Sequence, residues 1–511
     1  MPGYLCSFDM GTTGVKVGFL TQDGELVGTA YREYGINIFG AQWVEQSVDE
    51  MWQAQGEACR ELFAATGIDP KDIAAIGISC QRATFAPLGE DLKPLTNFIG
   101  WQDQRSIEQC EDIKRSIGLE RFYKIAGVPL DPIAAVSKIV WLKENDPETF
   151  NKTRVFGSTQ NVHLHQLGVE NPPCDLPDAA YMGLLDVDKL TWSQELLDGL
   201  GIPAEKMPAL VPSGTLVGEV SKEAAIATGL AEGTPIVTAG GDLQNAGLGV
   251  GVAKPGFVSV GIGTGGGVLI CVEKPLRHPD ISLSCLPHAA EGMWEMEGIA
   301  LASGGAYKWL RDTLGDIERV EAAESGVDPY EILNEKARSA PPGSNGLLIL
   351  PTILGAGSPH WYPKARGVMV GLSASTNKGD MVRAMLEGVC LEIRWIIESA
   401  EKLGTDIEEV RIWGGAAKSP LWNQIASDVY GVPAAMPEVG EAGLVGAAIC
   451  AAVGVGIFDN AQEGSEAMVR IGGRYEPDSV NRAKYDEMFA IYKDSYNALV
   501  KAGVFERIAA L

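Results

Sequence analysis

Two short turns built from glycine and threonine, far apart in the chain, constrain the fold more than any other feature. The first lies in FDMGTTGVKVGFL (Phe8–Leu20) and the second in VSVGIGTGGGVLI (Val258–Ile270). In each, apolar stretches of β type flank a tip without bulky side chains, so that backbone N–H groups at the tip can approach an anion. A tight hairpin alone explains one such turn. Two of them favour a chain with two halves that close on one polyphosphate.

Length and charge narrow the class of protein. A chain of 511 residues is too long for one core and predicts two to four domains. The formal net charge of −26 argues against nucleic acid and anionic membranes as partners, because both attract basic surfaces. ATP remains compatible with this charge, since local amides, a few cations and a metal ion can bind it.

Neither an export signal nor a membrane anchor is evident in the sequence. The beginning, MPGYLCSFDMG, lacks the basic and long apolar regions of a signal peptide. The apolar stretch from Ala447 is too short and too rich in glycine to span a bilayer. The nine cysteines have no paired spacing, which is typical of reduced and buried thiols. We therefore expect a cytoplasmic protein.

Strands and helices alternate in a similar order in both halves. In the first half, strands are predicted at 4–8, 15–20, 26–31 and 74–79, and helices at 48–65 and 102–117. The second half repeats the plan with a strand at 236–239, the second turn, the strand in EEVRIWGG, and helices from Pro420 and over 481–501. This order predicts a duplicated α/β fold, with domains at 1–251 and 252–511 flanking a catalytic cleft.

Asp9 stands at the end of the first predicted strand, directly before the first turn. A carboxylate there can hold Mg²⁺ through water, because Mg²⁺ keeps part of its hydration shell. Thr12 and Thr13 add hydroxyl groups and amides, and Lys16 adds a cation. Alternatively, Asp9 only caps its own turn, as aspartate often does.

Asp242, in AGGDLQNAG, is the second candidate carboxylate. It follows a buried strand, so it would project from the carboxyl edge of a sheet, where ligands of open α/β sheets bind. A carboxylate aimed at a substrate hydroxyl can accept its proton as that oxygen attacks a γ-phosphate. The alternative is a helix N-cap, because the residues that follow are typical of a helix.

A third element, IWGGAAKSPLWNQIASDVYG (Ile412–Gly431), joins a strand to a helix through Gly414 and Gly415. A flat adenine could lie against this bare backbone. Asn423 follows three residues into the helix. Such a join is also common as a purely structural feature.

Taken in order, these motifs resemble the FGGY carbohydrate kinases, which share the actin, hexokinase and ribonuclease H-like fold. The resemblance covers nearly the whole chain. It rests on DMGTTGVK, GISCQRATFAPLGEDLKPLTNFIGWQDQR, AGGDLQNAGLGVG, GIGTGGG, SPHWYPKARGVMVGL, EGVCLEIR and WGGAAKSPLWNQIASDVYG. No single motif decides the family, whereas seven in sequence are highly specific.

The resemblance implies ATP- and Mg²⁺-dependent phosphorylation of a hydroxyl on a sugar or polyol, and it leaves a homodimer open. It implies that Asp9 and Asp242 are catalytic and hold Mg²⁺ through water, with Asp242 as the general base. The implied ATP contacts are Thr12, Thr13, Lys16, Gly263, Thr264, Gly414, Gly415 and Asn423. The implied sugar contacts are Gln81, Arg82, Trp101, Asp103 and Asp242.

Several departures from glycerol kinases argue against glycerol as the substrate. The Gln81-Arg82 pair matches those enzymes, but Ala83 stands where they usually have glutamate. Ile133 replaces the tyrosine of their DPY segment, and Leu243 replaces the glutamine after the base. Three polar or aromatic contacts are thus lost.

Other stretches are more similar to xylulose kinases, namely WVEQSVDEMW and CDLPDAAYMGLLDV. The Met-His pair of those enzymes is replaced here by Arg82-Ala83, and their GERTP by GAGSP. PPGSNGLLILP and the C-terminal half show some similarity to autoinducer-2 kinases, and Arg82 could also pair with an acidic substrate. A ketopentose such as xylulose is favoured, with another polyol or an autoinducer-2-type compound as the alternative.

Two rival functions use the same fold. A nucleotide-driven binding protein of the superfamily would share the phosphate turns but would need neither the sugar-side stretch Cys80–Arg105 nor a base such as Asp242. A family member that has lost catalysis and acts as a sensor would bind sugar without coupled ATP turnover.

Overall fold

A computed structural model of the chain describes residues 3–40 and 42–511, so the first two residues of the predicted N-terminal domain lie outside the described part. The chain forms two compact units. The first comprises residues up to Lys254 together with 271–296 and 441–470, and the second comprises 255–270, 297–440 and 471–511. Because segments of the C-terminal half group with the first unit, the units interleave along the chain. The boundary near residue 251 stays a prediction.

The strands are numbered in chain order. They are β1 (Tyr4–Met10), β2 (Gly14–Thr21), β3 (Leu26–Glu33), β4 (Asn37–Phe39), β5 (Trp43–Gln46), β6 (Ile73–Cys80), β7 (Phe85–Leu88), β8 (Phe98–Ile99), β9 (Val155–Ser158), β10 (Cys174–Asp175), β11 (Leu185–Asp186), β12 (Thr191–Trp192), β13 (Leu210–Val211), β14 (Leu216–Glu219), β15 (Pro235–Gly241), β16 (Phe257–Ile262), β17 (Gly266–Val272), β18 (Ser284–Pro287), β19 (Trp294–Ala300), β20 (Leu348–Leu350), β21 (Val368–Val370), β22 (Glu409–Gly414), β23 (Ala434–Pro437) and β24 (Ile471–Tyr475).

The α-helices are numbered in the same way. They are α1 (Val48–Thr66), α2 (Ile107–Ser116), α3 (Leu119–Ala126), α4 (Ala135–Asn145), α5 (Pro147–Lys152), α6 (Thr159–Leu167), α7 (Leu176–Ala180), α8 (Gln194–Leu200), α9 (Lys222–Thr228), α10 (Asp242–Gly249), α11 (Gly304–Leu314), α12 (Asp316–Ser325), α13 (Pro329–Arg338), α14 (Lys378–Glu401), α15 (Pro420–Tyr430), α16 (Ala442–Gly454), α17 (Ala461–Met468), α18 (Ser479–Lys501) and α19 (Val504–Ala509). Short 3₁₀ turns occupy Pro70–Asp72, Ala204–Lys206, Ser344–Gly346 and Gly415–Lys418.

The main sheet of the first unit has the strand order β14-β15-β6-β1-β2-β3. Strands β1, β6 and β15 are parallel and largely buried, as their nearly continuous apolar sequences predict. Their register aligns Met10 with Cys80, and Cys80 with Gly241. The segments that follow these three residues therefore emerge at one edge of the sheet, where α/β folds bind ligands.

A second sheet in the first unit, β4-β5-β8-β7-β9, includes β7 and β8, which lie within the predicted sugar-side stretch. Its buried side chains Phe85 and Ile99 belong to a core that includes residues of α2, α3 and α4. Helix α1 packs on β2 and β3 around a separate core, and its N-cap Ser47 accepts a hydrogen bond from the backbone of Glu50. The sugar stretch thus runs between two packed cores.

The second unit repeats the edge geometry. Strands β16 and β17 form the predicted second hairpin, and β16, β22 and β23 are parallel. Ile262 at the end of β16 aligns with Gly414 at the end of β22. The second glycine-threonine turn and the Gly414-Gly415 join consequently leave the same edge of this sheet. Across the described residues, none of the helices is sufficiently long and apolar to pass through a membrane.

Glu392 on α14 is buried in the second unit beside a small cavity that is also lined by His360, Trp395, Tyr492 and Tyr496. Its Oε2 has no hydrogen-bond partner among the described residues. Burial raises the pKa of Glu392 to about 8. In an unfolded chain the pKa of glutamic acid is about 4.3. At a pH between these two pKa values, Glu392 keeps its proton in the folded protein but has lost it in the unfolded chain.

We therefore expect Glu392 to make the free energy of unfolding fall as the pH rises from about 4.5 to about 8, by at most about 1.4 kcal/mol per pH unit. Glu392→Gln is neutral throughout and should lack this fall. Urea midpoints at several pH values test this, with the exposed Glu331→Gln as control. If the wild type and Glu392→Gln keep a constant difference across that range, Glu392 is not a buried neutral acid.

Candidate active site

Asp9 lies at the carboxyl end of β1, opposite Lys16 on β2 and Ser79 on β6. The Ser79 hydroxyl donates a hydrogen bond of 3.2 Å to Oδ1 of Asp9. Desolvation and repulsion from Asp242 raise the pKa of Asp9 to about 6, against the opposing effects of Ser79 and Lys16. The two predicted catalytic carboxylates therefore lie close enough for the charge of Asp242 to affect the ionisation of Asp9.

Asp242 is the first residue of α10, and Gly241 rather than Asp242 is the N-cap of that helix. Its carboxylate accepts a hydrogen bond of 2.8 Å from the amide of Leu243. Its Oδ1 lies 3.7 Å from Nε of Arg82. The side chain of Asp242 is 45% exposed, whereas that of Arg82 is 10% exposed. The carboxylate is thus held by a helix start and a cation while one side stays open to solvent.

Close packing of α10 on α16 helps to fix the positions of the Asp9 and Asp242 carboxylates. A Cβ atom at Gly446 would lie 1.9 Å from the backbone oxygen of Asn245, so only glycine permits this approach. A Cβ atom at Gly443 would lie 2.9 Å from Oδ2 of Asp9. The first turn of α16 therefore packs directly against the Asp9 carboxylate, where a helix N-terminus stabilises negative charge.

The first glycine-threonine turn, between β1 and β2, is held by neighbouring polar groups. The amide of Gly11 donates to the oxygen of Gly14, which closes the tip. The indole of Trp101 donates to the Thr12 hydroxyl over 3.0 Å. The Thr13 side chain is exposed, and Lys16 forms an ion pair of 2.5 Å with Glu441, the N-cap of α16. The turn is thus ordered, and Thr13 lies at its exposed tip.

The sugar-side stretch is connected to this turn through Gln46, which sequence reasoning did not assign. Gln81 donates through Nε2 to Oε1 of Gln46 over 2.7 Å, and Gln46 in turn donates to the backbone oxygen of Thr12 over 2.7 Å. The amide of Gln81 also donates to the oxygen of Met10. Gln46 lies in the quoted WVEQSVDEMW, but only the three-dimensional contacts show that it joins the two loops.

Asp103 differs from the other predicted sugar contacts. It is fully buried, its Oδ1 accepts from the backbone and side chain of Arg105, and its Oδ2 accepts from Arg105 and from the amide of Val44. Both oxygens are therefore used inside the protein. This geometry suits a residue that orders the loop carrying Trp101, and it does not present the carboxylate to a ligand.

The side chain of Arg82 lies across the backbone of Gly241 and extends toward Asp242. A Cβ atom at Gly241 would lie 2.4 Å from Cδ of Arg82. The guanidinium carbon lies 4.5 Å from the ring centroid of Tyr181. The next residue, Ala83, has a φ of 61°, which alanine adopts only at a cost in energy. Nothing in the sequence alone marks Tyr181 as a neighbour of Arg82.

In the second unit, the predicted nucleotide residues meet at the sheet edge described above. Gly414 has a φ of 83°, and a Cβ atom there would lie 2.8 Å from the oxygen of Ile262. Asn423 on α15 is buried and donates to the oxygen of Ala417 over 2.9 Å. Gly414 therefore packs directly against the end of β16, where a side chain at residue 414 would collide with the backbone of Ile262.

Helix α11 begins against the Gly263-Thr264 turn. A Cβ atom at Gly304 would lie 2.2 Å from the oxygen of Gly263, and the amide of Gly305 donates to the oxygen of Thr264 over 2.8 Å. Sequence reasoning missed this segment. The signal was present as a Ser-Gly-Gly run (Ser303 and the two glycines) before a helix, a pattern that suits a helix N-terminus near an anion.

Family models match both halves of the chain. Residues 4–249 match the model of the FGGY family of carbohydrate kinases, N-terminal domain, and residues 258–455 match that of the C-terminal domain. The chain belongs to the FGGY family of carbohydrate kinases. The predicted family and the predicted duplicated α/β fold are confirmed, and FGGY membership decides against the nucleotide-driven binding protein.

Relatives of the FGGY chain differ in their named substrates. A xylulose kinase of Bacillus subtilis (strain 168) is 29% identical over 494 residues, 96% of each chain. A glycerol kinase of Trichlorobacter lovleyi is 32% identical over 473 residues, 90% of this chain and 92% of the relative. The crystal structure of a gluconate kinase from Lactobacillus acidophilus superposes with a TM-score of 0.89 at 26% identity, over 97% of this chain and 98% of that one. The FGGY chain is thus an ATP-dependent kinase of a sugar or polyol.

Proposed function

We propose that this FGGY kinase phosphorylates an uncharged ketopentose such as xylulose, with Asp242 as the general base. The observation that carries the proposal is the Asp242 carboxylate, which is paired with Arg82 yet 45% exposed beside Asp9. As the substrate hydroxyl oxygen forms its bond to the γ-phosphorus, Asp242 accepts the hydroxyl proton. The bond between the γ-phosphorus and the bridging oxygen breaks, and ADP leaves.

The residues present fit a magnesium ion. Asp9 and Asp242 offer hard carboxylate oxygens, and desolvation together with their repulsion raises the pKa of Asp9. No group of three or more His, Cys, Asp or Glu that could enclose a metal occurs in the described ranges 3–40 and 42–511. Mg²⁺ needs no such cage, because it keeps several waters and binds one or two carboxylates together with phosphates. When bound, it would neutralise phosphate charge.

The predicted ATP contacts are part of this proposal. Amides and hydroxyls of the two turns would hold the phosphates, and the join after β22 would contact adenine. These residues are Thr12, Thr13, Lys16, Gly263, Thr264, Gly414, Gly415 and Asn423. The cytoplasmic location and the homodimer stay predictions.

Charge balance favours an uncharged sugar. Arg82 is matched by Asp242, and Lys16 by Glu441. An aldonate such as gluconate would bring a further negative charge to a place that already holds Asp9. Among uncharged substrates, the lost glycerol contacts argue against glycerol, and the two xylulose-kinase-like stretches favour a ketopentose.

Release of ADP across a panel of compounds tests the proposal. The panel comprises pentuloses, pentitols, tetritols, hexuloses, glycerol, gluconate and an autoinducer-type diketone. We expect the highest kcat/KM with a pentulose and low values with glycerol and gluconate. A preference for gluconate would contradict the charge argument, and a preference for the diketone would select the alternative substrate. Tight sugar binding without coupled ATP turnover would indicate the sensor.

Arg82→Ala should mainly raise the KM for the sugar, by about 10- to 100-fold, because it removes hydrogen bonds from a charged donor. The KM for ATP should change little. Initial rates with each substrate varied in turn measure both constants. Unchanged kinetics across the whole panel would remove Arg82 from the sugar pocket.

A further inference from the structure

Tyr181 forms one face of the environment of Arg82. The Tyr181 residue follows α7 as its C-cap, and its ring lies under the Arg82 guanidinium at 4.5 Å. A guanidinium over an aromatic face is attracted by the electron-rich ring, more strongly when water is excluded. Arg82 is only 10% exposed, so this contact operates in a largely desolvated place.

Tyr181 is itself held by contacts of its hydroxyl and of its backbone. Its hydroxyl lies 3.2 Å from Oγ of Ser284, which is buried. Its backbone oxygen accepts a hydrogen bond of 3.1 Å from the amide of Ala135, the first residue of α4. Helix α7 is capped by the Asp175 side chain, which accepts from the amide of Asp178. These contacts hold the ring of Tyr181 in one position.

The Arg82 side chain reaches Asp242 across the backbone of Gly241. Its stem lies on the backbone of Gly241, where no side chain intervenes, and Ala83 turns the chain with a φ of 61°. The guanidinium then has Asp242 near Nε and the Tyr181 face beneath it. An arginine side chain loses much rotamer freedom when it is fixed. A preformed surface that orders it in advance reduces the entropy cost that substrate binding must overcome.

We propose that Tyr181 is a positioning residue that holds the Arg82 guanidinium in the sugar pocket and thereby sets the affinity for the sugar. This inference rests on the proposed function, in which Arg82 contacts the sugar beside the base Asp242. It predicts that Tyr181 acts through Arg82 and through its ring, not through its hydroxyl.

The test is a double-mutant cycle on the full chain with the best sugar of the panel. Tyr181→Leu should raise the sugar KM by about 3- to 30-fold, the range expected for a desolvated cation–π contact. The kcat and the KM for ATP should stay within about 2-fold of the wild type. Tyr181→Phe keeps the ring and should stay within about 2-fold for all three constants. In an Arg82→Ala background, Tyr181→Leu should have no further effect on the sugar KM.

The matched control is Tyr330→Leu. The guanidinium of Arg311 lies over the Tyr330 ring at 4.7 Å, on helices α11 and α13, and Tyr330 carries no proposed site role. This control should leave the sugar KM unchanged. If Tyr181→Leu does not fold, as judged by thermal melting, Tyr181→Gln replaces it, because it also lacks the ring.

Three results would overturn the inference. An equal rise of the sugar KM with and without Arg82 would show that Tyr181 acts independently. An effect of Tyr181→Phe as large as that of Tyr181→Leu would assign the role to the hydroxyl, and wild-type kinetics of Tyr181→Leu would assign none. These results are distinct from failure of the proposed site, which would appear as normal turnover of Asp242→Asn or an unchanged sugar KM of Arg82→Ala.

Discussion

Asp242→Asn is expected to lower kcat for phosphoryl transfer by about 10²- to 10⁴-fold, the contribution typical of a general base. The amide is nearly isosteric but cannot accept the hydroxyl proton at neutral pH. Because Gly241 caps α10 and Asp242 is 45% exposed, the helix should persist in the variant. Rates from ADP release, together with a fluorescent nucleotide titration, measure transfer and nucleotide binding separately.

The control for this variant is Asp188→Asn, which removes an exposed carboxylate of the same unit that pairs with Arg277. It should retain the wild-type kcat, since surface ion pairs contribute little. Near-normal turnover of Asp242→Asn with pentulose would show that another group accepts the proton. A loss of nucleotide binding equal to the loss of kcat would instead assign Asp242 a role in binding ATP.

The largest expected effect on stability is that of Glu387→Ala in the second unit. The buried carboxylate of Glu387 accepts hydrogen bonds from the amide of Gly343, Nε of Arg383, the hydroxyl of Tyr485 and the hydroxyl of Ser344, over 2.7–2.9 Å. Removing it leaves the buried Arg383 without this carboxylate. Breaking a buried pair in this way costs about 3–5 kcal/mol of the free energy of unfolding.

Urea unfolding followed by tryptophan fluorescence measures the effect, because Trp395 and Trp422 lie in the second unit. Glu335→Ala is the control, since Glu335 forms an exposed pair with Arg338 and should cost under about 1 kcal/mol. If Glu387→Ala does not accumulate as folded protein, Glu387→Gln keeps the shape and removes the charge. A loss below about 1 kcal/mol for Glu387→Ala would mean that the four contacts do not stabilise this unit.

The sequence allowed the sheet edges to be predicted, because short apolar strands and glycine turns are local signals. The hairpins at both glycine-threonine turns, the helix from Pro420 and the place of Asp9 at a strand end all follow from such signals. The helix predicted from Gln102 begins only at Ile107, since Asp103 and Arg105 lock the preceding residues into a loop.

Residues whose role depends on distant neighbours could not be found in this way. Gln46 joins two loops that are far apart in sequence, and Tyr181 contacts an arginine about 100 residues earlier. Asp103 has the right residue type for a sugar contact, but Arg105 and Val44 use both of its oxygens. Long-range pairing of this kind leaves no periodic trace in a single sequence.

In the proposed reaction, ATP is the donor, an uncharged sugar is the acceptor, and Asp242 accepts the proton. Single-turnover transfer from ATP labelled at the γ-phosphate to xylulose tests it most directly, with product sugar phosphate and ADP measured in the same sample. We predict one labelled sugar phosphate per ADP for the wild-type protein and a transfer rate lower by at least about 10² for Asp242→Asn. ADP that forms without labelled sugar phosphate, for xylulose and every other neutral sugar of the panel, would contradict this reaction.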